Sequence, residues 1–156
     1  MESEQDKEWF CGLAAFEKGM TYYEEKDFQS ALACFDNAIE CGYEDNIYGF
    51  RADCLQNSGL CDQAIRNYDI AISKQPNDCN LYFQRSISKS IIGDVDGAIG
   101  DIEEAIQLSK IDNERNANYR AAAIHQGWPG GHTELYEYSL TSENIYKWRV
   151  SLADKR

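Results

Sequence analysis

One pattern of small and large apolar residues occurs three times along the chain, at separations of 33 and 34 residues. Each copy has two alanines seven positions apart with a large apolar residue between them, and a small residue twelve positions before the first alanine. Positions four and seven apart share one face of a helix, so the small residues allow close helix packing and the large one fills the remaining space. The aligned positions are Ala15, Tyr48 and Tyr82; Gly19, Ala52 and Ser86; Ala31, Ala64 and Ala98; Phe35, Tyr68 and Ile102; and Ala38, Ala71 and Ala105.

Turn-forming residues divide each copy into two helices and separate the copies from one another. They are Lys26-Asp27, Ser58-Gly59 and Gly93-Asp94 within the copies, and Gly42, Pro76-Asn77-Asp78 and Ile111-Asp112-Asn113 after them. Ser3 and Asp6 have the spacing of a capping box, which predicts a first helix from about Glu4 to Glu25. The pattern therefore predicts an all-α chain of helix–turn–helix copies at residues 12–44, 45–78 and 79–112.

These residues resemble the tetratricopeptide repeat (TPR), whose pattern of 34 residues is W-x2-L-G-x2-Y, then A-x3-F, then P. The matches are Gly19, Tyr22, Ala31, Phe35 and Ala38 in the first copy, Ala64, Tyr68, Ala71 and Pro76 in the second, and Tyr82, Ala98 and Ala105 in the third. The third copy departs from the family at Lys89 and Lys110, where Tyr and Pro are expected. The resemblance implies a right-handed superhelical stack of antiparallel helix hairpins, the TPR-like alpha-alpha superhelix, and a role in protein binding.

The segment after the third copy matches the repeat poorly. Residues 113–125 are predicted to be helical, Gly127 to Gly131 form a break, and residues 133–155 contain a helical stripe of Ile145, Trp148 and Leu152. We expect residues 113–156 to form a degenerate hairpin that caps the stack, the alternative being a segment that docks a partner or a second copy. Residues 1–156 are thus predicted to be a single TPR domain.

Charge and composition narrow the range of partners and of cellular locations. The net charge is −12, and binding to nucleic acid or to an anionic membrane would require clustered Lys and Arg, so neither is expected as a partner. No apolar run approaches the roughly 18 residues of a membrane-spanning helix. The six cysteines form no C-x-x-C pair and follow no secretory leader, which favours reduced thiols in a cytoplasmic protein.

Motifs for catalysis, cofactors or metals are missing from the sequence. The Gly127–Gly131 segment contains a proline and does not follow a strand, unlike a phosphate-binding loop. His125 and His132 have no candidate nucleophile indicated nearby and do not form a ligand pattern with the cysteines. We therefore expect no enzymatic activity, no cofactor and no metal.

The resemblance implies a concave groove lined mainly by the first helix of each copy, which holds a peptide or a helix of a partner. The residues predicted to line it are Leu13, Phe16, Met20, Tyr23, Asn46, Phe50, Asp53, Asn80, Phe83, Gln84 and Ile87. This lining is aromatic and aliphatic at one end and polar to acidic in the middle. It therefore suits an apolar or amphipathic segment, including one with basic residues.

One subclass of the family clamps the C-terminal carboxylate of heat-shock chaperones with two lysines, two asparagines and an arginine. The matching positions are Phe16, Met20, Phe50, Asn80 and Gln84, and none keeps the required residue. Because a groove without cations cannot hold a carboxylate, we expect no such clamp. Two functions stay open: an adaptor or scaffold that binds a protein partner, and a small acidic secretion-type chaperone that shields a hydrophobic client segment. We expect a monomer, or a homodimer formed through Trp9-Phe10 or the Trp148 stripe.

Overall fold

Six helices form the part of the chain that the structure, a computed structural model, describes: residues 3–112 and residue 154, with the side chains of the last helix described through Leu108. The helices are α1 (Glu4–Glu24), α2 (Phe28–Glu40), α3 (Ile47–Asn57), α4 (Cys61–Lys74), α5 (Cys79–Ile91) and α6 (Val95–Asp112). The prediction of three helix–turn–helix copies is confirmed, and these residues contain no strand. Apart from residue 154, the predicted capping hairpin at 113–156, with its Trp148 stripe, lies outside the described residues.

The first two helices begin at residues whose side chains cap them, Ser3 for α1 and Asp27 for α2. Ser3 Oγ accepts a hydrogen bond from the Asp6 amide at 3.1 Å, and the Asp6 carboxylate accepts one from the Ser3 amide at 2.9 Å. The Ser3 hydroxyl also donates to the Asp6 carboxylate at 2.7 Å, and this bond first, then that of the Ser3 amide, holds the pKa of Asp6 below its usual value. Asp27 caps α2 by accepting from the Ser30 amide at 3.2 Å. The predicted capping box at the start of α1 is therefore confirmed.

Each hairpin turns at a residue in the left-handed region. Lys26, Gly59 and Gly93 occupy equivalent repeat positions and have φ angles of 62°, 79° and 88°. In each hairpin, the amide of the residue after this position donates to the carbonyl five residues earlier at 2.9 Å. This hydrogen bond closes the end of the first helix. The three bonds run from Asp27 to Tyr22, from Leu60 to Leu55 and from Asp94 to Lys89. The first hairpin thus places a lysine where the other two have glycine.

The chain divides into two compact units, Met1–Ala71 and Ile72–Arg156. The first unit contains α1, α2, α3 and most of α4, and α2 packs against both α1 and α3. An ideal Cβ at Gly12 would lie 2.6 Å from Tyr43 Cβ, and one at Gly19 would lie 2.6 Å from Phe35 Cε1, so glycine at both positions lets the neighbouring residues approach α1 closely. The prediction of a single domain over residues 1–156 stays a prediction.

Aromatic side chains dominate the core of the first unit. Its buried residues are Ala31, Phe35, Ala38, Tyr43, Ile47 and Cys54, and the partly buried residues packed against them include Phe16, Tyr22, Tyr23, Phe28, Tyr48 and Phe50. The alanines of the repeat pattern are fully buried at Ala31, Ala38 and Ala64. Their small side chains keep the helices close, and the rings fill the space around them.

The second unit has an aliphatic core between α5 and α6. Its buried residues are Cys79, Phe83, Ile87, Ala98, Ile99, Ile102, Ala105 and Leu108. Beside this core, Arg85 donates to both carboxylate oxygens of Asp101 at 2.8 and 2.6 Å, and Lys89 Nζ lies 2.9 Å from the same carboxylate. The lysine that departs from the repeat pattern is therefore the partner of a buried acid.

Candidate functional site

Two neighbouring helices of the first unit present a partly buried set of rings beside a carboxylate. The spacing of Phe16, Met20 and Tyr23 places them on one side of α1, and Phe50 and Asp53 are one turn apart on α3. All five side chains are partly buried. We call these five residues the aromatic–carboxylate face.

Phe50 lies at the centre of the ring contacts in this face. Its ring centroid is 5.4 Å from that of Tyr23 in an edge-on arrangement, 6.1 Å from Phe16 and 6.5 Å from the buried Phe35. Phe16 in turn lies 5.1 Å from Tyr43. Such pairs hold one another in position beyond their simple burial. The face is therefore an outer layer of the core, with little freedom to rearrange.

Two phenols hold the Asp53 carboxylate in a single orientation. Tyr23 of α1 donates to Oδ2 at 3.0 Å, and Tyr68 of α4 donates to Oδ1 at 2.5 Å. Burial first, and then the Asp53 charge, raises the pKa of Tyr68 well above its usual value, so this phenol stays a donor at neutral pH. Tyr68 Oη also lies 3.2 Å from Gln56 Oε1. The negative charge of Asp53 is thus positioned beside the rings.

The arginine of α3 is engaged by other helices of the first unit. Arg51 Nε donates to Asp36 of α2 at 2.7 Å, and Nη1 donates to Asn67 of α4 at 2.9 Å. The Arg51 side chain is therefore held by an acid of its own unit, so we do not assign it to an anionic ligand.

The structure places the predicted groove residues in three different environments. Leu13, Phe16, Met20, Tyr23, Phe50, Asp53 and Asn80 are partly buried, Asn46 is exposed, and Phe83, Gln84 and Ile87 are buried. Phe83 and Ile87 are each 2% exposed and belong to the core between α5 and α6, so they do not form an accessible lining. The sequence could not separate these roles, because the apolar stripe of α5 marks a buried face without saying which element covers it.

Asn46 and Asn80 begin helices. Asn46 precedes α3 with a φ of 54° and makes no side-chain capping bond. Asn80 lies in the first turn of α5, where its amide donates to the capping Asp78 at 2.9 Å. Its side-chain Oδ1 is buried and finds no hydrogen-bond partner among the described residues.

Tyr68 is the residue of the site that sequence analysis missed. It was assigned to packing, because its repeat position holds Phe35 and Ile102 in the other copies. The signal that could have revealed its role is the hydroxyl at an otherwise apolar position, since a buried phenol needs a hydrogen-bond partner. Asp53, the partner it finds, lies on the preceding helix.

Within the described residues, no group of three or more His, Cys, Asp or Glu is arranged to hold a metal ion. Over the same part of the chain, no helix combines the length and the hydropathy needed to cross a bilayer.

The fold can be compared with known proteins. No protein-family model matches this chain, and no curated protein matches it either. Among solved structures, the TPR2B domain of yeast Sti1 in complex with an Hsp70 peptide has a TM-score of 0.69 at 17% identity, covering 94% of this chain and 99% of that one. The first TPR of Spaghetti (RPAP3), bound to the HSP90 peptide SRMEEVD, has a TM-score of 0.60 at 16% identity, covering 74% and 89%. The chain therefore has the fold of tetratricopeptide-repeat domains, a TPR-like alpha-alpha superhelix.

Proposed function

We propose that this protein is a non-catalytic interaction module, an adaptor or scaffold, that binds an apolar or amphipathic segment of a protein partner at the aromatic–carboxylate face. The observation that carries the proposal is the partly exposed ring of Phe50, packed between Phe16 and Tyr23 and next to the fixed carboxylate of Asp53. Rigid aromatic groups bind apolar side chains at a small entropic cost, because they have little freedom to lose.

Charge supports a partner segment that also carries a lysine or an arginine. Residues 1–71 contain 15 Asp and Glu but only five Lys and Arg. Such an excess attracts basic segments and repels acidic ones, most strongly at low ionic strength. We propose that apolar side chains of the ligand contact Phe16, Met20 and Phe50, while a basic side chain pairs with Asp53.

The structural neighbours bind chaperone peptides, and we propose that this chain does not use the same chemistry. The two solved structures are complexes with an Hsp70 peptide and with an HSP90 peptide that ends in EEVD. At the five clamp positions this chain has Phe16, Met20, Phe50, Asn80 and Gln84. None of these side chains carries a positive charge. An acidic peptide would therefore meet rings and Asp53, without a cation for its terminal carboxylate.

Fluorescence anisotropy with labelled peptides tests this proposal. An amphipathic helical peptide bearing lysines should bind, its charge-reversed version bearing glutamates should bind at least about tenfold more weakly, and SRMEEVD should not bind measurably. Tight binding of SRMEEVD that is lost on amidation of its C-terminus would contradict the proposal. So would equal binding of the two amphipathic peptides.

A pair of variants locates the binding site. Asp53→Asn removes the charge while keeping one of the two oxygens that accept from the tyrosines, and it should weaken binding of the lysine peptide about fivefold. Glu24→Gln, at the exposed end of α1, removes the same unit of charge and should change binding less than about twofold. Circular dichroism checks that both variants keep their helix content. Equal losses in the two variants would show that only net charge matters.

The alternative is a small acidic secretion-type chaperone, and one observation favours it. Trp9 and Phe10 are 41% and 55% exposed at the N-terminal end of α1, where they add apolar surface to the first unit. A chaperone's hydrophobic client should aggregate when expressed alone and stay soluble when this chain is co-expressed. An adaptor's partner should be soluble in both cases.

A further inference from the structure

We propose that Cys11 and Cys41 form an oxidation site, at which a low-molecular-weight disulfide converts the two thiols to an intramolecular disulfide. Cys11 lies on α1 and Cys41 follows the last residue of α2. The Cys41 thiol donates to the sulfur of Cys11, and the two sulfur atoms are 3.6 Å apart. All six cysteines of the chain carry thiols. This inference is independent of the proposed peptide-binding function.

Backbone packing keeps these two thiols together. An ideal Cβ at Gly12, next to Cys11, would lie 3.2 Å from Cys41 Cβ, 3.0 Å from the carbonyl oxygen of Ala38 and 2.6 Å from Tyr43 Cβ. The end of α2 thus approaches α1 as closely as a glycine permits. On the outer side, the Trp9 ring lies 5.8 Å from Tyr43. The two sulfurs, 3.6 Å apart, must approach by about 1.6 Å to reach the bonding distance of about 2.0 Å.

Accessibility and charge assign the two cysteines different parts in the reaction. Cys11 is exposed and Cys41 is partly buried. The pKa of the Cys41 thiol is raised. The largest cause is its hydrogen bond to Cys11, followed by burial and by the charges of Cys11, Glu40 and Glu8. Cys11 is therefore the thiol that meets a reagent from solution, and Cys41 is the one that resolves the product.

The reaction is an ordinary pair of thiol–disulfide exchanges. The Cys11 thiolate attacks one sulfur of oxidised glutathione, whose disulfide bond breaks and releases one glutathione thiolate, which takes up a proton. Cys41 then loses its proton, attacks the Cys11 sulfur and releases the second glutathione. The two protein thiols are oxidised by two electrons, and one glutathione disulfide is reduced to two thiols.

The new bond would close the loop between residues 11 and 41 and tie α1 to the end of α2. Such a cross-link restricts the unfolded chain, so we expect oxidation to raise the Tm by at least about 5 °C. Excess reduced glutathione should reverse the change. The bond would also hold Trp9 against Tyr43.

Mass spectrometry of the full chain tests the proposal. The reduced protein is equilibrated with mixtures of reduced and oxidised glutathione, quenched in acid, alkylated and digested. The expected product is a peptide pair linked through Cys11 and Cys41, in a fraction that rises with the share of oxidised glutathione. Linkage of other cysteines, disulfide-bonded dimers, or glutathione left on Cys11 with Cys41 alkylated would overturn the proposal.

Three serine variants check the roles of the two thiols. Cys41→Ser should stop at a glutathione adduct on Cys11, and Cys11→Ser should form no intramolecular disulfide. Cys34→Ser is the matched control, because it removes a partly buried cysteine of α2 outside this pair, and it should form the same linked peptides as the wild type. If a variant fails to fold, the peptide map of the wild-type protein decides the matter alone.

Discussion

The two units are built on the same repeat and filled in different ways. The first has a core rich in rings, and residues 1–71 carry 15 acidic and five basic residues; the second has an aliphatic core, and residues 72–156 carry 12 acidic and 10 basic residues. At one shared position the first unit has Tyr68 and the second has Ile102, and both are fully buried. The repeat therefore specifies where a large side chain must lie, and leaves its chemistry open.

A shared polar contact shows the same freedom. Arg51 and Arg85 occupy equivalent positions, and each donates to a residue 16 positions later in the chain. In the first unit the acceptor is the amide of Asn67, while in the second it is the buried carboxylate of Asp101, which also holds Lys89. In the second unit an arginine and a lysine thus share one buried acid, whereas in the first unit the arginine contacts a buried amide and a half-exposed acid.

The largest expected effect comes from removing the buried acid of the second unit. Asp101→Ala should lower the free energy of unfolding by about 3 kcal/mol, because Arg85 and Lys89, both mostly buried, lose their carboxylate. Urea denaturation measures the loss, and hydrogen exchange should show it first in α5 and α6. Asp36→Ala is the control in the first unit, where the acid is 52% exposed, and it should cost less than about 1 kcal/mol. Equal costs would contradict the contrast between the units.

The contact between α1 and the end of α2 in the first unit should depend on Gly12, whereas Gly100 of the second unit should be replaceable. Gly12→Ala should destabilise the protein by about 1–2 kcal/mol, because the added methyl group would meet Tyr43 and the Ala38 carbonyl. Among the described residues, Gly100→Ala on α6 meets nothing within 4 Å, and it should stabilise the protein by about 0.5–1 kcal/mol through helix propensity. Thermal denaturation of the two variants gives both signs. A stabilising Gly12→Ala would show that α1 and the end of α2 can move apart freely.

Alkaline pH should weaken the first unit. Burial, followed by the charge of Asp53, raises the pKa of Cys54 to about 12, and the pKa of Tyr68 is also raised. The stability that these two protonated groups contribute is fully present below their pKa values in the unfolded chain, which are about 9 for Cys54 and about 10 for Tyr68. Above them the unfolded chain loses protons that the folded chain keeps, so stability falls by up to about 1.4 kcal/mol per pH unit for each group. Urea denaturation between about pH 8 and pH 11 measures this slope.

Two variants separate this linkage from general weakening. Cys54→Ala should reduce the slope above about pH 9, and Tyr68→Phe should reduce it above about pH 10. Phe35→Leu changes a buried side chain that cannot ionise, so it should lower stability by the same amount at every pH. An unchanged slope in both ionisable-group variants would contradict the assignment.

The smallest expected effect concerns the hairpin turns. Lys26 holds the left-handed conformation that Gly59 and Gly93 hold in the other hairpins. Lys26→Gly should therefore stabilise the protein by about 0.5–1 kcal/mol, the relief of strain exceeding the entropy that glycine loses. Gly93→Lys in the second unit should have the opposite sign, and thermal denaturation compares the two. If Lys26→Gly destabilised the protein, the lysine side chain would have a role beyond the turn.

Much of the fold was predictable from local patterns. Three signals each depend on residues a few positions apart: the alanines within a helix, the capping box of Ser3 and the turn residues. In the structure, all three are found at the predicted positions. The candidate site was less accessible to such reasoning. Phe83 and Ile87 have the spacing of a lining, yet they are buried between α5 and α6. Periodicity identifies a buried face, but not the element that buries it.

The sequence by itself determined the repeat, the positions of the six helices and the acidic excess of residues 1–71, because periodicity, caps, turns and charge are properties of neighbouring residues. The tertiary structure alone decided which side chains meet. It brought Tyr23 and Tyr68 to the two carboxylate oxygens of Asp53, and it set Cys11 beside Cys41. It also placed Lys89, where the repeat pattern has tyrosine, beside the carboxylate of Asp101. These contacts join residues 12 to 30 positions apart, and only helix packing brings such distant positions together.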